Sequence, residues 1–334
     1  MGIDVLDWVL ETQRPRVCTM DEFMYDHMDS QSEHSLPILY EPFDVQNPGH
    51  WGHRGWILDF LATAGHGKVL DFGPGDGWPS LLMAPFCEQI VGVDGSRRRV
   101  EVCRENAARL GITNAEFVYV APGNKLPFDE DSFDGITAAS SIEQTPDPYA
   151  TLQELYRVLR PGGKIRLFYE ALSRYREKRR RGGWLFSLGE KQSRVMLNEN
   201  QIEQERAVHC GLDLNLSCQE ALDLLTGGDE DSFYEDLTVA ALEGAQEHIQ
   251  GALICTLQHP SCRTLFSWMD KIGFEEHKTT YAGGWYAWAL YQRLDEEQRP
   301  QDLDALDRYL RPLVEAFVQF AAPVEADSPI TATK

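Results

Sequence analysis

The residues with the clearest chemistry lie in one run, Asp71-Phe72-Gly73-Pro74-Gly75-Asp76-Gly77-Trp78, directly after the apolar pair Val69-Leu70. A strand that ends in a glycine-rich turn and opens a helix lets a ligand approach the backbone closely, because glycine adopts positive φ without a Cβ penalty. The spacing then selects the ligand. A dinucleotide fingerprint, G-x-G-x-x-G, counted from Gly73 and Gly75 requires a third glycine at position 78, where Trp78 stands. A second apolar run ends in Val93-Asp94-Gly95, with Asp94 placed 21 residues after Gly73. A carboxylate at that strand tip accepts hydrogen bonds from both hydroxyls of a ribose. A ligand with a ribose and no pyrophosphate fits this pattern, and S-adenosylmethionine is that ligand.

Other residues offer chemistry with alternatives beside them. Asp71 either touches the ligand or braces the turn through backbone amides. His50 and His53, three apart in a Pro/Gly-rich stretch from Pro42 to Gly55, lack the third clustered ligand a metal needs. They read better as part of a lid over the cofactor, together with Trp51, Arg54 and Tyr25, or as an ordinary surface loop. Glu143 is a general base, a substrate contact or simply a loop residue. Glu143 and His53 are the candidate catalytic side chains, and Tyr25, His50 and Trp51 the candidate acceptor contacts. The basic run Arg174 to Arg181 is a solvated helix end or a reader of anionic groups.

The elements that must position these residues follow a repeated strand, turn, helix rhythm from Lys68. Strands are expected at Lys68 to Phe72, Gln89 to Asp94, Glu116 to Val120, Phe133 to Ala139 and Lys164 to Tyr169. Helices are expected at Pro79 to Phe86, Arg97 to Leu110 behind the cap Ser96, and from Asp147-Pro148 to Leu159. This alternation implies a parallel sheet with right-handed crossovers. Near the end, Glu276 to Tyr281 and Trp285 to Tyr291 read as two strands joined through Ala282-Gly283-Gly284 in a hairpin. The expected organisation is a helical lid over 1–60, a ligand-binding domain over 61–170 and 259–293, an insertion over 171–258 that covers the acceptor site, and 294–334 as a helix with a disordered tail. In that last helix Leu303, Leu306, Leu310, Leu313, Phe317 and Phe320 form a heptad seam, packed on the domain or used in a homodimer.

At this point the sequence resembles the class I S-adenosylmethionine-dependent methyltransferases. Four segments in order carry the resemblance: Asp71 to Gly77, Asp94, Leu126-Pro127-Phe128 followed by Ser132-Phe133-Asp134, and Leu159-Arg160-Pro161-Gly162-Gly163. It is similar to the small-molecule branch that methylates quinone and sterol acceptors. The resemblance implies an α/β fold, a doubly wound, mostly parallel seven-stranded sheet of Rossmann-like type. It places Asp71, Gly73, Pro74, Gly75, Asp76 and Trp78 around the methionine part and ribose, Asp94 on the ribose hydroxyls, and Gly95 and Ser96 beside the adenine. Ser140 in the loop after the fourth strand would lie near the sulfonium and the acceptor. The family's acidic residue before Leu-Pro-Phe is missing; Asn124 would accept the adenine amino group instead. S-adenosyl-L-methionine is the implied cofactor and S-adenosyl-L-homocysteine its product.

Composition narrows the partners. The 334 residues carry 53 acidic against 31 basic side chains, a net charge of −22, which repels nucleic acid and anionic lipid. Seven scattered cysteines without a CxxC pair fit reduced thiols in the cytoplasm. No apolar run approaches membrane-spanning length. The expected activity is methyl transfer to oxygen, nitrogen or carbon of a small molecule, with no metal. The rivals are a nicotinamide-dependent oxidoreductase, a regulatory protein that binds the cofactor without turnover, and a protein methyltransferase.

Overall fold

In the computed structural model, which describes residues 4–28, 43–169, 179–228, 230, 232–324 and 329–334, the strand–helix rhythm after residue 68 closes into one sheet. Its elements in chain order are α1 (Pro48–Ala64), β1 (Lys68–Phe72), α2 (Ser80–Met83), β2 (Gln89–Asp94), α3 (Arg97–Leu110), β3 (Ala115–Tyr119), β4 (Phe133–Ala139), α4 (Pro148–Val158), β5 (Leu159–Phe168), α5 (Cys262–Ile272), β6 (Glu275–Thr279), α6 (Gly283–Arg293), α7 (Leu303–Phe317) and β7 (Ile330–Thr333). The spatial order is β6-β7-β5-β4-β1-β2-β3. The pairs among β1 to β5 are parallel, while β7 runs antiparallel to both β5 and β6. This is the doubly wound, mostly parallel seven-stranded sheet that the resemblance implies.

Both faces of the sheet are covered, so its central strands are mostly apolar on both sides. Leu70 of β1 packs with Ile136, Ile165, Leu155 and Met269 on one face. Its neighbour Val69 packs with Ile57, Phe60, Leu61 and Met83 on the other. The period-2 alternation of side chains sends adjacent residues to opposite layers.

Three expectations about this unit are corrected. Trp285 to Tyr291 is not a strand but part of α6, and the strand that pairs with β6 is β7 at the very end of the sequence, where a disordered tail was expected. The Pro/Gly-rich stretch is not a loop: from Pro48 it is the first turns of α1, with Asn47 as cap (its side chain accepts from the Gly49 amide at 2.8 Å) and Pro48 in the first turn. The physical reason is shared. A Cβ on Gly55 would sit 2.5 Å from the Gly283 carbonyl, and one on Gly283 would sit 2.6 Å from the Gly55 carbonyl. These glycines let α1 and α6 cross at backbone contact; they do not mark turns. Third, the last helix packs on the domain, one of its two expected roles, but in a shifted register: Leu306, Leu310 and Val314 of α7, with Val318 just after it, pack on Trp51, Leu58 and Ala287 of the same unit, while Leu313 and Phe320 of the expected seam are exposed.

A buried ion pair ties α1 to the sheet. Arg166 of β5 donates to both carboxylate oxygens of Asp59 at 2.7 and 2.8 Å, and Asp59 also accepts the Gly283 amide at 2.8 Å. Both side chains are fully buried.

The chain divides into two compact units, and the boundaries differ from the expected ones: Met28–Arg174 with Ser261–Lys334 form the unit above, and Met1–His27 with Tyr175–Pro260 form the other. Residues expected as one lid over 1–60 are therefore split between the units. The region expected as an insertion contributes most of a five-stranded sheet, in the order Arg16–Val17, Ile249–Gln258, Arg206–Leu214, Gln192–Gln201, Arg179–Gly189. Its last four strands are antiparallel neighbours. Val5, Leu6 and Val9 from the N-terminal helix Val5–Thr12 pack on Val195, Leu197 and Leu212. Of the basic run, Arg174 to Tyr175 and on to Lys178 lie outside the described residues, and Arg181 pairs with Asp4, Asp7 and Glu199 within this unit.

Candidate active site

The glycine turn joins β1 to α2 at the C-terminal edge of the sheet. Gly73, Gly75 and Gly77 all adopt positive φ, at 76°, 56° and 108°. The Gly73 amide donates to the Val93 carbonyl at 2.8 Å, which registers the turn against β2. A Cβ on Gly73 would collide with Ser141, and one on Gly77 with Leu81. Gly75 differs: a Cβ there would meet no atom within 4 Å, so the outer side of the turn is open space. Asp94 at the tip of β2 accepts the Gly75 amide at 3.2 Å and the Ser96 amide at 2.9 Å. Half-buried Gly95 lies between them, and Ser96 caps α3 by accepting the Arg99 amide at 3.2 Å.

Asp71 faces inward. Its Oδ1 accepts from Thr137 Oγ1 at 3.1 Å, and its Oδ2 from the Ser80 amide at 3.2 Å and the Ser80 hydroxyl. Burial pushes its carboxyl up to about 7 against the opposing pull of those hydrogen bonds. Of the two roles open to it, these contacts are those of a brace across β1, β4 and α2. Asp76 is also buried and pairs with Arg99 of α3, and Arg99 donates in addition to the Met28 carbonyl. Asn106 Nδ2 donates to the Asp76 carbonyl at 2.9 Å, and the Cys103 thiol to the Gly75 carbonyl at 3.1 Å. Arg99, Cys103 and Asn106 fall at i, i+4 and i+7, one face of α3, and this face grips the turn. That spacing was legible in the sequence, but only a partner for it gives it meaning.

The loop after β4 approaches the turn from the other side. Ser141 Oγ donates to the Phe72 carbonyl at 2.6 Å. Ser140 is exposed, holds a positive φ of 52°, and donates its amide to the Phe168 carbonyl at 2.7 Å. Glu143 is buried in the short 3-10 turn Ile142–Gln144. Asn124 is exposed on the loop after β3, where its amide donates to the Ala121 carbonyl at 3.0 Å.

The remaining candidates separate. His50, Trp51 and His53 all lie on α1, whereas Tyr25 belongs to the other unit, in the 3-10 turn Tyr25–His27. Trp51 is corrected from acceptor contact to core: it is fully buried, donates Nε1 to the Val45 carbonyl at 2.9 Å and packs edge-on against Tyr291. Arg54 is likewise committed, to Asp307 of α7. Trp78 packs edge-on against His53, with ring centroids 6.2 Å apart, and against Phe60 at 5.7 Å. Burial, and then the neighbouring His50, hold His53 below the ordinary histidine range. Beside this group Trp56 stands edge-on to Phe168 at 4.3 Å, with the exposed Trp285 at 6.4 Å from Trp56. Among the described residues no group of three or more His, Cys, Asp or Glu is placed to hold a metal.

Comparison with known proteins bears on the same segment. Residues 70–167 match the family described as "Methyltransferase domain". The ubiquinone/menaquinone biosynthesis C-methyltransferase of Geotalea daltonii is 35% identical over 34% of this chain and 49% of its own. The demethylmenaquinone methyltransferase of Clavibacter sepedonicus is 39% identical over 42% of this chain and 54% of its own. The chain thus spans about half the length of these relatives. Among solved structures, a methyltransferase from Streptomyces caelestis aligns with a TM-score of 0.47 and 14% identity, over 88% of this chain and 98% of that one.

Proposed function

We propose, from the match of residues 70–167 to the methyltransferase domain family, that this chain transfers a methyl group from S-adenosylmethionine to a small-molecule acceptor. The single observation that carries the reading is the pairing of an open glycine turn with Asp94. The turn exposes backbone at Gly75, and the carboxylate beside it suits a ribose diol. Bound there, the cofactor supplies a methyl group already activated on a sulfonium. Gly73, Pro74 and Gly75 would lie beneath its methionine and ribose parts, Gly95 and Ser96 beside its adenine, with Asn124 as the polar edge. Asp71 and Asp76 act from behind, Asp71 through Ser80 and Thr137 and Asp76 through Arg99, and keep the turn in shape.

His53 is the side chain we assign to accept a proton from the acceptor, because a histidine held below its ordinary range is neutral at pH 7. Glu143, adjoining the Ser140-Ser141 loop, is the alternative. A bulky acceptor suits the aromatic group of Trp56, Phe168 and Trp285. The two relatives above are named for quinone substrates, and we extend only the class, a small apolar molecule, to this chain. We place the reaction in the cytoplasm, in keeping with seven cysteines that form no disulfide. Among the described residues no helix is long and apolar enough to cross a membrane.

Calorimetric titration with S-adenosylmethionine and S-adenosylhomocysteine tests the reading, with Asp94→Ala as control. Binding that the substitution abolishes supports it. Folded wild-type protein that binds neither compound overturns it.

A further inference from the structure

We propose that His53 and Trp78, with His50 one helical turn earlier, form a polar subsite that takes a single hydroxyl group, which makes the acceptor an alcohol or a phenol. This rests on the methyltransferase reading above and adds to it the functional group that the acceptor presents. The starting observation is three polar atoms: His50 Nε2, His53 Nδ1 and Trp78 Nε1 are each buried and make no hydrogen bond among the described residues. A buried polar atom left unpaired costs about 1–3 kcal/mol, so such atoms are few in a folded protein. Here three occur in one neighbourhood. His50 and His53 share a face of α1, His53 lies edge-on to Trp78, and Trp78 directly follows the glycine turn.

Their valences define the guest. His50 Nδ1 accepts the Asp44 amide at 2.7 Å, so in the neutral ring the proton sits on Nε2, which is a donor. Trp78 Nε1 is a donor only. Burial favours the neutral ring of His53, and we assign its proton to Nε2, which leaves Nδ1 an acceptor. Two donors and one acceptor complement a hydroxyl, which has two lone pairs and one proton. A neutral amine has the opposite balance, an ammonium only donates, and an acceptor without a polar group offers neither. The half-buried ring of Trp78, backed edge-on by the core residue Phe60 at 5.7 Å, adds apolar surface for the body of the molecule.

The test is an NMR titration of the full-length protein labelled with nitrogen-15 and saturated with S-adenosylhomocysteine. The Trp78 indole proton is identified by its loss in Trp78→Phe. Three probes of one shape are compared: 2-naphthol, 2-naphthylamine and 2-methylnaphthalene. We expect 2-naphthol to shift the Trp78 indole resonance and to bind at least ~10-fold more tightly than 2-methylnaphthalene, equivalent to about 1.4 kcal/mol. His53→Phe should remove that preference and His53→Gln, which keeps an acceptor, should restore part of it. Equal binding of the three probes, or a preference for 2-naphthylamine, overturns the proposal. An indole shift that S-adenosylhomocysteine alone produces and 2-naphthol leaves unchanged also overturns it, since the subsite then serves the cofactor. Failure of S-adenosylhomocysteine to bind, measured on the same sample, counts against the cofactor reading, and the probe series on the cofactor-free protein still decides the subsite.

Discussion

The Gly75 amide donates to Asp94 Oδ2 at 3.2 Å, so the apex of the glycine turn and the tip of β2 form one hydrogen-bonded unit. The other oxygen of the same carboxylate holds the Ser96 amide, which starts α3. Asp94 therefore sets the geometry of the turn at the edge we propose for the ribose. Asp94→Ala should weaken S-adenosylhomocysteine binding by about 10- to 150-fold, the range for losing about 1.5–3 kcal/mol of hydrogen bonding to a charged group. Asp94→Asn, which retains one acceptor oxygen, should fall between. Calorimetry decides; an alanine variant that binds within a factor of two of wild type would remove Asp94 from the site.

Gly73 and Gly75 share positive φ but differ in surroundings, and alanine at each should separate folding from binding. At Gly73 an added Cβ meets Ser141, so Gly73→Ala carries both backbone strain and a clash and should lower thermal stability markedly. At Gly75 there is open space, so Gly75→Ala should cost only the left-handed strain, about 1–2 kcal/mol. The new methyl group would occupy the ligand's side of the turn, and binding should drop at least ~10-fold in protein that remains folded. Equal losses of stability in the two variants would argue against this division.

Asp71 gives a pH dependence whose sign is fixed by burial. Its carboxyl is pushed from an ordinary 3.8 up to about 7. Between those values the native state holds a proton that the unfolded chain has lost, so this group's contribution to stability is full at low pH and declines as pH rises toward 7. The slope is at most about 1.4 kcal/mol per pH unit. Asp71→Asn is neutral throughout and keeps an oxygen for Thr137 or Ser80. Relative to wild type it should therefore gain stability between pH 5 and pH 8. Urea denaturation at the two pH values measures this, and a difference that does not change with pH would refute it.

The parallel core of the fold was legible because β1 to β5 are short apolar runs separated by cap and turn residues such as Ser96, Gly111 and Asp147. The site's ligand-facing half was legible too, because glycine spacing and the Asp94 position are local properties of the sequence. What escaped was everything set by distant contact. Gly52, Gly55, Gly283 and Gly284 look like turn residues locally and serve a helix crossing. The Asn47-Pro48 cap signal was present but outweighed by the glycines after it. Ser80, Thr137 and Arg99 carry no motif of their own; they become meaningful only once Asp71 and Asp76 are seen to be buried beneath the turn.

The buried pair of Arg166 and Asp59 is another such contact, and it should behave asymmetrically. Removing one partner leaves the other charged and buried, so Arg166→Met or Asp59→Leu should each destabilise by about 3–5 kcal/mol. The double substitution should recover much of that loss, since no orphaned charge remains. Thermal denaturation of the three variants checks it. Additive losses in the double variant would mean that the pair is held by packing and not by charge.

The last strand makes the strongest prediction about a region that looks dispensable in the sequence. β7 lies between β5 and β6, pairing Ile330 with Leu167 and Thr333 with Lys164, and Ile330 and Ala332 are buried. Beyond it the Gly162 amide donates to the Lys334 carbonyl at 2.7 Å and the Lys334 amide to the Gly163 carbonyl at 3.0 Å. Deleting residues 330–334 removes the strand that links β6 to the sheet and bares the edge of β5, an invitation to pair with other chains. Burial of Ile330 alone is worth about 2–5 kcal/mol when truncated. The truncated protein should therefore unfold at a much lower temperature and aggregate, whereas Lys334→Ala, which keeps the strand and loses the side-chain contacts to Asp131, the Arg157 carbonyl and the Tyr156 ring, should cost about 1–2 kcal/mol. Denaturation and light scattering of the two variants distinguish the cases, and a truncated protein as stable as the full chain would show that β7 is not needed to close the sheet.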